Sequence, residues 1–92
     1  MKYEIRFTTQ FKEDLKLAKK QGKDIDQLFS VIEQLANGKS LEEKYRDHDL
    51  GGNYKGCREC HVEPDWLLVY EVIANVLVLI LYRVCSHANL FK

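Results

Sequence analysis

No apolar run in this sequence exceeds seven residues, the longest being Val76 to Tyr82. That is far short of the roughly twenty needed to cross a bilayer as a helix, so no membrane span is predicted. The opening Met-Lys-Tyr-Glu-Ile-Arg-Phe alternates polar and apolar residues and lacks the continuous apolar stretch of an export signal, so a cytoplasmic protein is expected. Proline occurs once and low-complexity tracts are missing, while 46% of the residues are hydrophobic, which argues against disorder. Cysteines number three, an odd count without an export signal, so reduced thiols are expected rather than a disulfide framework. Net charge is zero, which denies the chain the bulk positive potential of many nucleic-acid binders. Residues 1–46 nevertheless hold ten Lys/Arg against eight Asp/Glu, and residues 47–92 four against six.

Ninety-two residues give room for one domain. Lys2 to Thr8 places Tyr3, Ile5 and Phe7 on one side and charged or polar residues on the other, the period-2 pattern of a half-buried strand. A helix follows, with Thr8 or Thr9 as N-cap, Phe11, Leu15 and Ala18 on its apolar face and an end near Gly22. Asp24 can cap a second helix with Leu28, Val31 or Ile32, and Leu35 facing the core, stopped by Asn37-Gly38. Residues 39–54 read as a long connection, with one helical turn where Ser40 and Glu43 have capping-box spacing.

The rest is strand-rich: 55–62, a turn at Glu63-Pro64-Asp65, 66–73, a tight turn at Ala74-Asn75, then 76–84. The last strand is apolar on both faces and should lie inside the sheet, with the first strand as its other neighbour. The expected fold is α+β: an N-terminal strand, a two-helix hairpin, then a three-stranded antiparallel meander completing a four-stranded sheet, with a short C-terminal turn or helix.

Chemistry concentrates in the second half. Arg83 follows Leu77, Leu79 and Leu81 on one face of the last strand, where an unpaired guanidinium is costly; an acidic side chain or an anionic ligand should meet it. His61 ends the second predicted strand, Asp65 lies in the next turn, His48 falls in the long connection, and His87 comes four residues after Arg83. Strand ends and loops are where side chains reach a shared cleft. RNA brings its own nucleophile, the 2′-hydroxyl, so cleavage needs a base, an acid and positive charge on the phosphorane. Histidine serves either role near neutrality. His87 is read as the acid and His61 or Asp65 as the base, with Arg83 stabilising charge and His48 holding the phosphate. Asp65 has a further reading, as the group that orients a histidine. No metal ligand set or cofactor is expected.

Lys12, Lys16, Lys19 and Lys23 fall within roughly one 60° sector at 100° per residue, a solvated face or a surface for ribosomal RNA phosphates. Trp66 begins a core strand and is read either as packing or as a stacking surface for RNA.

Three stretches carry a resemblance: Tyr45-Arg46-Asp47-His48-Asp49-Leu50, Arg58-Glu59-Cys60-His61-Val62-Glu63-Pro64-Asp65-Trp66-Leu67-Leu68-Val69-Tyr70, and Arg83-Val84-Cys85-Ser86-His87-Ala88-Asn89-Leu90-Phe91. They resemble YafQ-type toxins of the RelE/ParE superfamily over nearly the whole chain, so that residues 1–92 would form one RelE-like toxin domain. The resemblance implies a metal-independent, ribosome-dependent mRNA endonuclease of a type II toxin-antitoxin pair. It implies as partners the ribosome and mRNA, and a DNA-binding antitoxin of the ribbon-helix-helix kind that wraps the toxin. The toxin would be a monomer alone or part of a heterotetramer with that antitoxin. It carries active residues onto His48, His61, Asp65, Arg83, His87 and Phe91. Val84-Cys85 departs from the Thr-Gly that commonly precedes the Ser/Thr-His pair.

Competing classes are weaker. Cys57-Arg58-Glu59-Cys60-His61 matches a c-type haem pattern, but in an alternating strand Cys57 and Cys60 point to opposite faces. That geometry also disfavours a zinc knuckle. A binding protein on the same fold, such as a gyrase inhibitor, or an inactive antitoxin-binding relative, remains the rival; it has no reason to gather acid-base residues around an arginine.

Overall fold

Both helices begin where the side-chain caps predict. In the computed structural model, which describes residues 1–90, the Thr8 hydroxyl accepts from Phe11 N to open α1 (Thr9–Lys20) and the Asp24 carboxylate accepts from Gln27 N to open α2 (Ile25–Ala36). Each cap satisfies an amide that the first helical turn cannot. The apolar stripe of α2 buries Leu28, Val31, Ile32 and Leu35. On α1 the buried positions are Phe11, Ala18 and a charged residue, Asp14.

The sheet has five strands among the described residues, in the order β1-β5-β4-β3-β2. These are β1 (Glu4–Phe7), β2 (His48–Asp49), β3 (Arg58–Glu63), β4 (Trp66–Ile73) and β5 (Val78–Cys85). β1 runs parallel to β5 and the other pairs are antiparallel, so β5 lies inside the sheet beside β1, as the sequence predicts. The predicted four strands become five because His48-Asp49, read as connection, pairs with Glu59 and Arg58. Two polar residues carry no alternation to recognise. What holds them is Arg58, whose guanidinium meets Asp47 at 3.1 Å and Asp49 at 2.6 Å, with the Tyr70 hydroxyl also donating to Asp47. The helical turn expected from Ser40 sits later, at Glu43–Tyr45, and no side chain caps it.

β5 departs from its predicted register twice. A short 3₁₀ turn, Ala74–Val76, ends on Leu77 in the left-handed region (φ 54°), so Val76 and Leu77 are exposed and the strand begins at Val78. Farther along, Val69 pairs with Arg83 but Tyr70 pairs with Leu81, leaving Tyr82 as an extra residue. Such a bulge shifts every later side chain to the other face. Arg83 therefore leaves the face of Leu79 and Leu81, where uninterrupted alternation puts it.

The helices cover one face of the sheet, and Cys60, Leu68, Tyr70, Leu79, Leu81 and Val84 form the core beneath them. On the opposite face Cys57, Leu67, Val69, Cys85 and Leu90 make a smaller apolar cluster, with Leu90 coming from the short C-terminal helix α3 (His87–Leu90). Cys57 and Cys60 fall in different clusters, as alternation requires, and all three cysteines are free thiols. Val84-Cys85 supplies one buried side chain to each layer. No described helix is long and apolar enough to cross a membrane.

Candidate active site

The open face of the sheet is laid out by strand pairing. His48 of β2 faces Glu59 of β3, Glu59 faces Val69 of β4, and Val69 faces Arg83 of β5. The next row runs His61, Leu67, Cys85. Same-face rows bring side chains of neighbouring strands within about 5 Å, so residues far apart in sequence become neighbours here. The bulge at Tyr82 is what puts Arg83 in the first row.

Glu59 is the centre of this face, and sequence reasoning did not single it out. It is 2% exposed. Its Oε2 lies 3.7 Å from His48 Nε2, and its Oε1 lies 3.7 Å from His61 Nε2 and 3.4 Å from His87 Nε2. Oε1 is sealed from solvent and accepts no hydrogen bond among the described residues. A buried carboxylate is tolerated only when cationic groups compensate it; three imidazoles are in place to do so. The ring centroids of His61 stand 6.3 Å from His48 and 5.5 Å from His87. The signal in the sequence was the two-residue spacing of Glu59 and His61, which puts both on one face of a strand.

All three histidines face Glu59 through the same ring nitrogen. Nδ1 of His48 lies 2.7 Å from the Arg46 carbonyl, and Nδ1 of His61 lies 3.2 Å from the Pro64 carbonyl. Carbonyl oxygens only accept, so these nitrogens donate and Nε2 is left as the variable position. Nδ1 of His87 meets Asp65 Oδ1 at 3.3 Å, and the backbone N–H of His87 donates to the same oxygen at 3.2 Å. These contacts with His87 hold the exposed Asp65 carboxyl below the usual carboxylate range, with a smaller contribution from Lys23. His61 is the most enclosed of the three, while His48 and His87 are about half exposed.

Of the two partners that the sequence allowed Arg83, an acidic side chain or an anionic ligand, the structure supplies the first. Its Nε and Nη2 donate to Asp14 at 2.8 and 3.2 Å, and Val84 N donates to the same carboxylate at 3.1 Å. β1 ends opposite Leu81, so α1 takes over the sheet edge beyond it and Asp14 supplies the missing acceptor. Burial of Asp14, rather than a fourth apolar residue, follows from that task.

Two clefts flank the histidines. One, of about 380 Å3, is lined by Lys44, Arg46, His61 and Pro64 among others. The other, of about 260 Å3, is lined by Lys23, Asp65, Trp66, Ser86 and Asn89 with α1 residues. Trp66 is 3% exposed and packs in the helix-side core, so it has no open ring face for a base and serves as cleft wall. The lysine stripe divides. α1 stops at Lys20 and Gly22 turns the chain at φ 73°, so Lys23 leaves the helical sector and joins the second cleft. Lys12, Lys16 and Lys19 instead rim an apolar groove of about 510 Å3 floored by Phe7, Phe11 and Phe29, at the β1 edge of the sheet and away from the histidines. Phe91 lies outside the described residues.

Comparison with known proteins finds relatives that cover nearly the whole chain. Residues 3–92 match the family described as the bacterial toxin of type II toxin-antitoxin systems, YafQ. The mRNA interferase toxin YafQ of Escherichia coli K12 is 39% identical over 89 residues, covering 96% of this chain and 95% of that protein. The E. coli DinJ–YafQ complex contains a chain of the same fold, with TM-score 0.89, 38% identity and coverage of 98% and 99%. A toxin of Helicobacter pylori solved in a metal-bound form superposes with TM-score 0.91 at 42% identity, covering 97% and 99%.

Proposed function

The chain belongs to the YafQ family of bacterial type II toxins, and on that premise we propose that it is an mRNA endonuclease, acting on the ribosome and neutralised by a cognate DNA-binding antitoxin. One observation carries the reading: three imidazoles converge through Nε2 on the buried carboxylate of Glu59, while contacts at Nδ1 fix each ring.

In the reaction the 2′-oxygen attacks the adjacent phosphorus as it loses its proton, and the bond to the 5′-oxygen breaks as that oxygen gains one. The products are a 2′,3′-cyclic phosphate and a free 5′-hydroxyl. His87 stands between two carboxylates, Asp65 at Nδ1 and Glu59 at Nε2, and donates the proton to the leaving oxygen. His61 accepts the proton of the 2′-hydroxyl; its ring centroid, 5.5 Å from that of His87, lets the two flank one phosphate. Asp65 orients His87 rather than acting as base, since a carboxyl held below its usual range is a weak proton acceptor. His48 contacts the phosphate. Arg83, clamped by Asp14, contributes fixed positive potential from the end of the same row. By the family resemblance, Phe91 is assigned to stack on a base.

The flanking RNA runs through the two clefts, past Lys44 and Arg46 on one side and Lys23 on the other. Lys12, Lys16 and Lys19, outside the site, bind ribosomal RNA phosphates and supply the docking that a chain of zero net charge otherwise lacks. Primer extension on mRNA after induction tests the proposal. Codon-phased cuts that vanish in His87→Ala are expected; no cuts, or cuts that persist in the variant, would overturn it.

A further inference from the structure

We propose that Tyr54 and Tyr82, set beside Arg83 on the open face of the sheet, form a stacking subsite for one unpaired base of the RNA, at the scissile step and distinct from the base assigned to Phe91. The subsite rests on the nuclease reading above and names where that substrate is gripped. Proteins hold unpaired RNA by stacking its bases on aromatic rings as well as by pairing charge with its phosphates. Trp66 is sealed in the helix-side core and cannot serve, and Phe7 and Phe11 floor a groove at the β1 edge. Among the described residues, Tyr54 and Tyr82 are the aromatic side chains packed on the open-face apolar cluster, and both are partly exposed.

The bulge in β5 is what brings a ring here. Strict alternation would put Tyr82 and Arg83 on opposite faces, but the irregular pairing opposite Val69 and Tyr70 leaves both on the open side. Tyr82 packs on the cluster of Cys57, Leu67, Val69 and Cys85, while Arg83 ends the row of Glu59 and Val69. Bulges next to active sites re-aim side chains in this way. Tyr54 arrives from the turn Gly52–Tyr54 with its backbone tied at both ends: its N–H donates to the Gly51 carbonyl, and its carbonyl accepts from Cys57 N. Arg83 donates to the Tyr54 hydroxyl, and the Tyr82 hydroxyl donates to Glu71 Oε1 at 2.9 Å. Both rings are thus fixed before substrate arrives, so stacking on them costs little side-chain entropy.

A base suits this patch better than a phosphate. Cys57 precedes Glu59 by two residues and Glu71 follows Val69 by two, so the patch lies roughly 7 Å along the strands from the Glu59-Val69-Arg83 row, on the side away from His61. The Glu71 carboxylate at its border repels a phosphate but not an uncharged base, and Cys57 and Val69 supply apolar ground. The RNA backbone follows the clefts beside His61 and His87, and one base turns inward over Arg83 onto the tyrosines. Stacking tolerates any base, so the subsite positions the strand without selecting a codon.

Single-turnover cleavage on programmed ribosomes tests the subsite. Tyr54→Leu and Tyr82→Leu, which keep apolar bulk, should each slow cleavage about 5–150-fold with circular dichroism unchanged, whereas Tyr54→Phe and Tyr82→Phe, which keep the ring, should cut nearly as the parent does. Abasic nucleotides placed one at a time around the scissile phosphate give a second measurement. At one position the abasic site should slow the parent chain by a similar factor and cost the leucine variants nothing further. Leucine variants that cut like the parent, phenylalanine variants no better than leucine ones, or an abasic penalty that persists in the leucine variants at every position would overturn the subsite. So would leucine variants that cut normally but no longer bind the antitoxin, which would assign the patch to a protein partner. A parent chain that cuts no message sinks the nuclease reading and the subsite with it; variants that fail to differ from a cutting parent sink the subsite alone.

Discussion

The two faces of the sheet do opposite work with the same strands. Toward the helices, Cys60, Leu68, Tyr70, Leu79 and Leu81 are all buried in one apolar layer. Toward the open side, the same strands present Glu59, His61 and Arg83, with only Leu67, Val69 and Cys85 between them as apolar ground. Folding free energy is drawn from the first face, because stability tracks apolar burial. The second is thereby released to hold charges that add little to folding. Activity and stability should therefore separate by face.

His87→Ala gives the largest expected effect: cleavage falls about 10²–10⁴-fold, measured as single-turnover rate, while urea stability falls by less than a core truncation costs, because His48 and His61 still face Glu59. Leu68→Ala, on the other face, should cost about 2–5 kcal/mol in urea unfolding, with cleavage per folded molecule preserved. Asp14→Ala breaks the comparison, since Asp14 belongs to a helix yet holds Arg83 and Val84 N. About 1.5–3 kcal/mol of stability should go, and cleavage should fall as well; an unchanged rate would detach Arg83 from the reaction. Replacing Lys12, Lys16 and Lys19 together by alanine should slow cleavage on ribosomes about tenfold at low salt, less at high salt, with no change in thermal unfolding.

The smallest effect is a pH dependence of the helix-side core. Burial pushes the Cys60 thiol up to about 12, against about 8.5 for an unfolded cysteine. A thiol raised in the folded state favours folding fully below the unfolded value, and the contribution is lost as pH climbs through the folded one. Urea stability should decline from about pH 8.5 upward, with a shallower decline in Cys60→Ala, and native protein at pH 8 should resist iodoacetamide.

Local patterns were legible in the sequence wherever one residue type recurs at a fixed period. Tyr3, Ile5 and Phe7 marked β1, Asp24 marked the start of α2 to the residue, and Thr8 or Thr9 marked that of α1 to within one. The open face was only half legible. His61 and Asp65 stood out as residue types, but Glu59 lay among Arg58, Cys60 and His61 in what reads as an ordinary polar strand, and the imidazoles that meet its carboxylate come from three separate elements. Bulges leave no periodic signature, since Leu81-Tyr82-Arg83 looks like uninterrupted alternation. The burial of Asp14 depends on where β1 stops along β5, a relation between segments about seventy residues apart.

The extra residue in β5 makes that strand two interleaved messages with a change of phase between them. Up to Leu81 the odd positions address the helices; beyond Tyr82 the even position, Val84, takes over that address, and Arg83 and Cys85 face the open side. Deleting Tyr82 removes the residue that the bulge sets aside, so Leu81, Arg83, Val84 and Cys85 then alternate regularly and keep the faces they have. A further residue inserted beside Tyr82 does the opposite: it drives Arg83 under the helices and Val84 out onto the open face. At this point of β5 the fold therefore tolerates the loss of a residue far better than the gain of one.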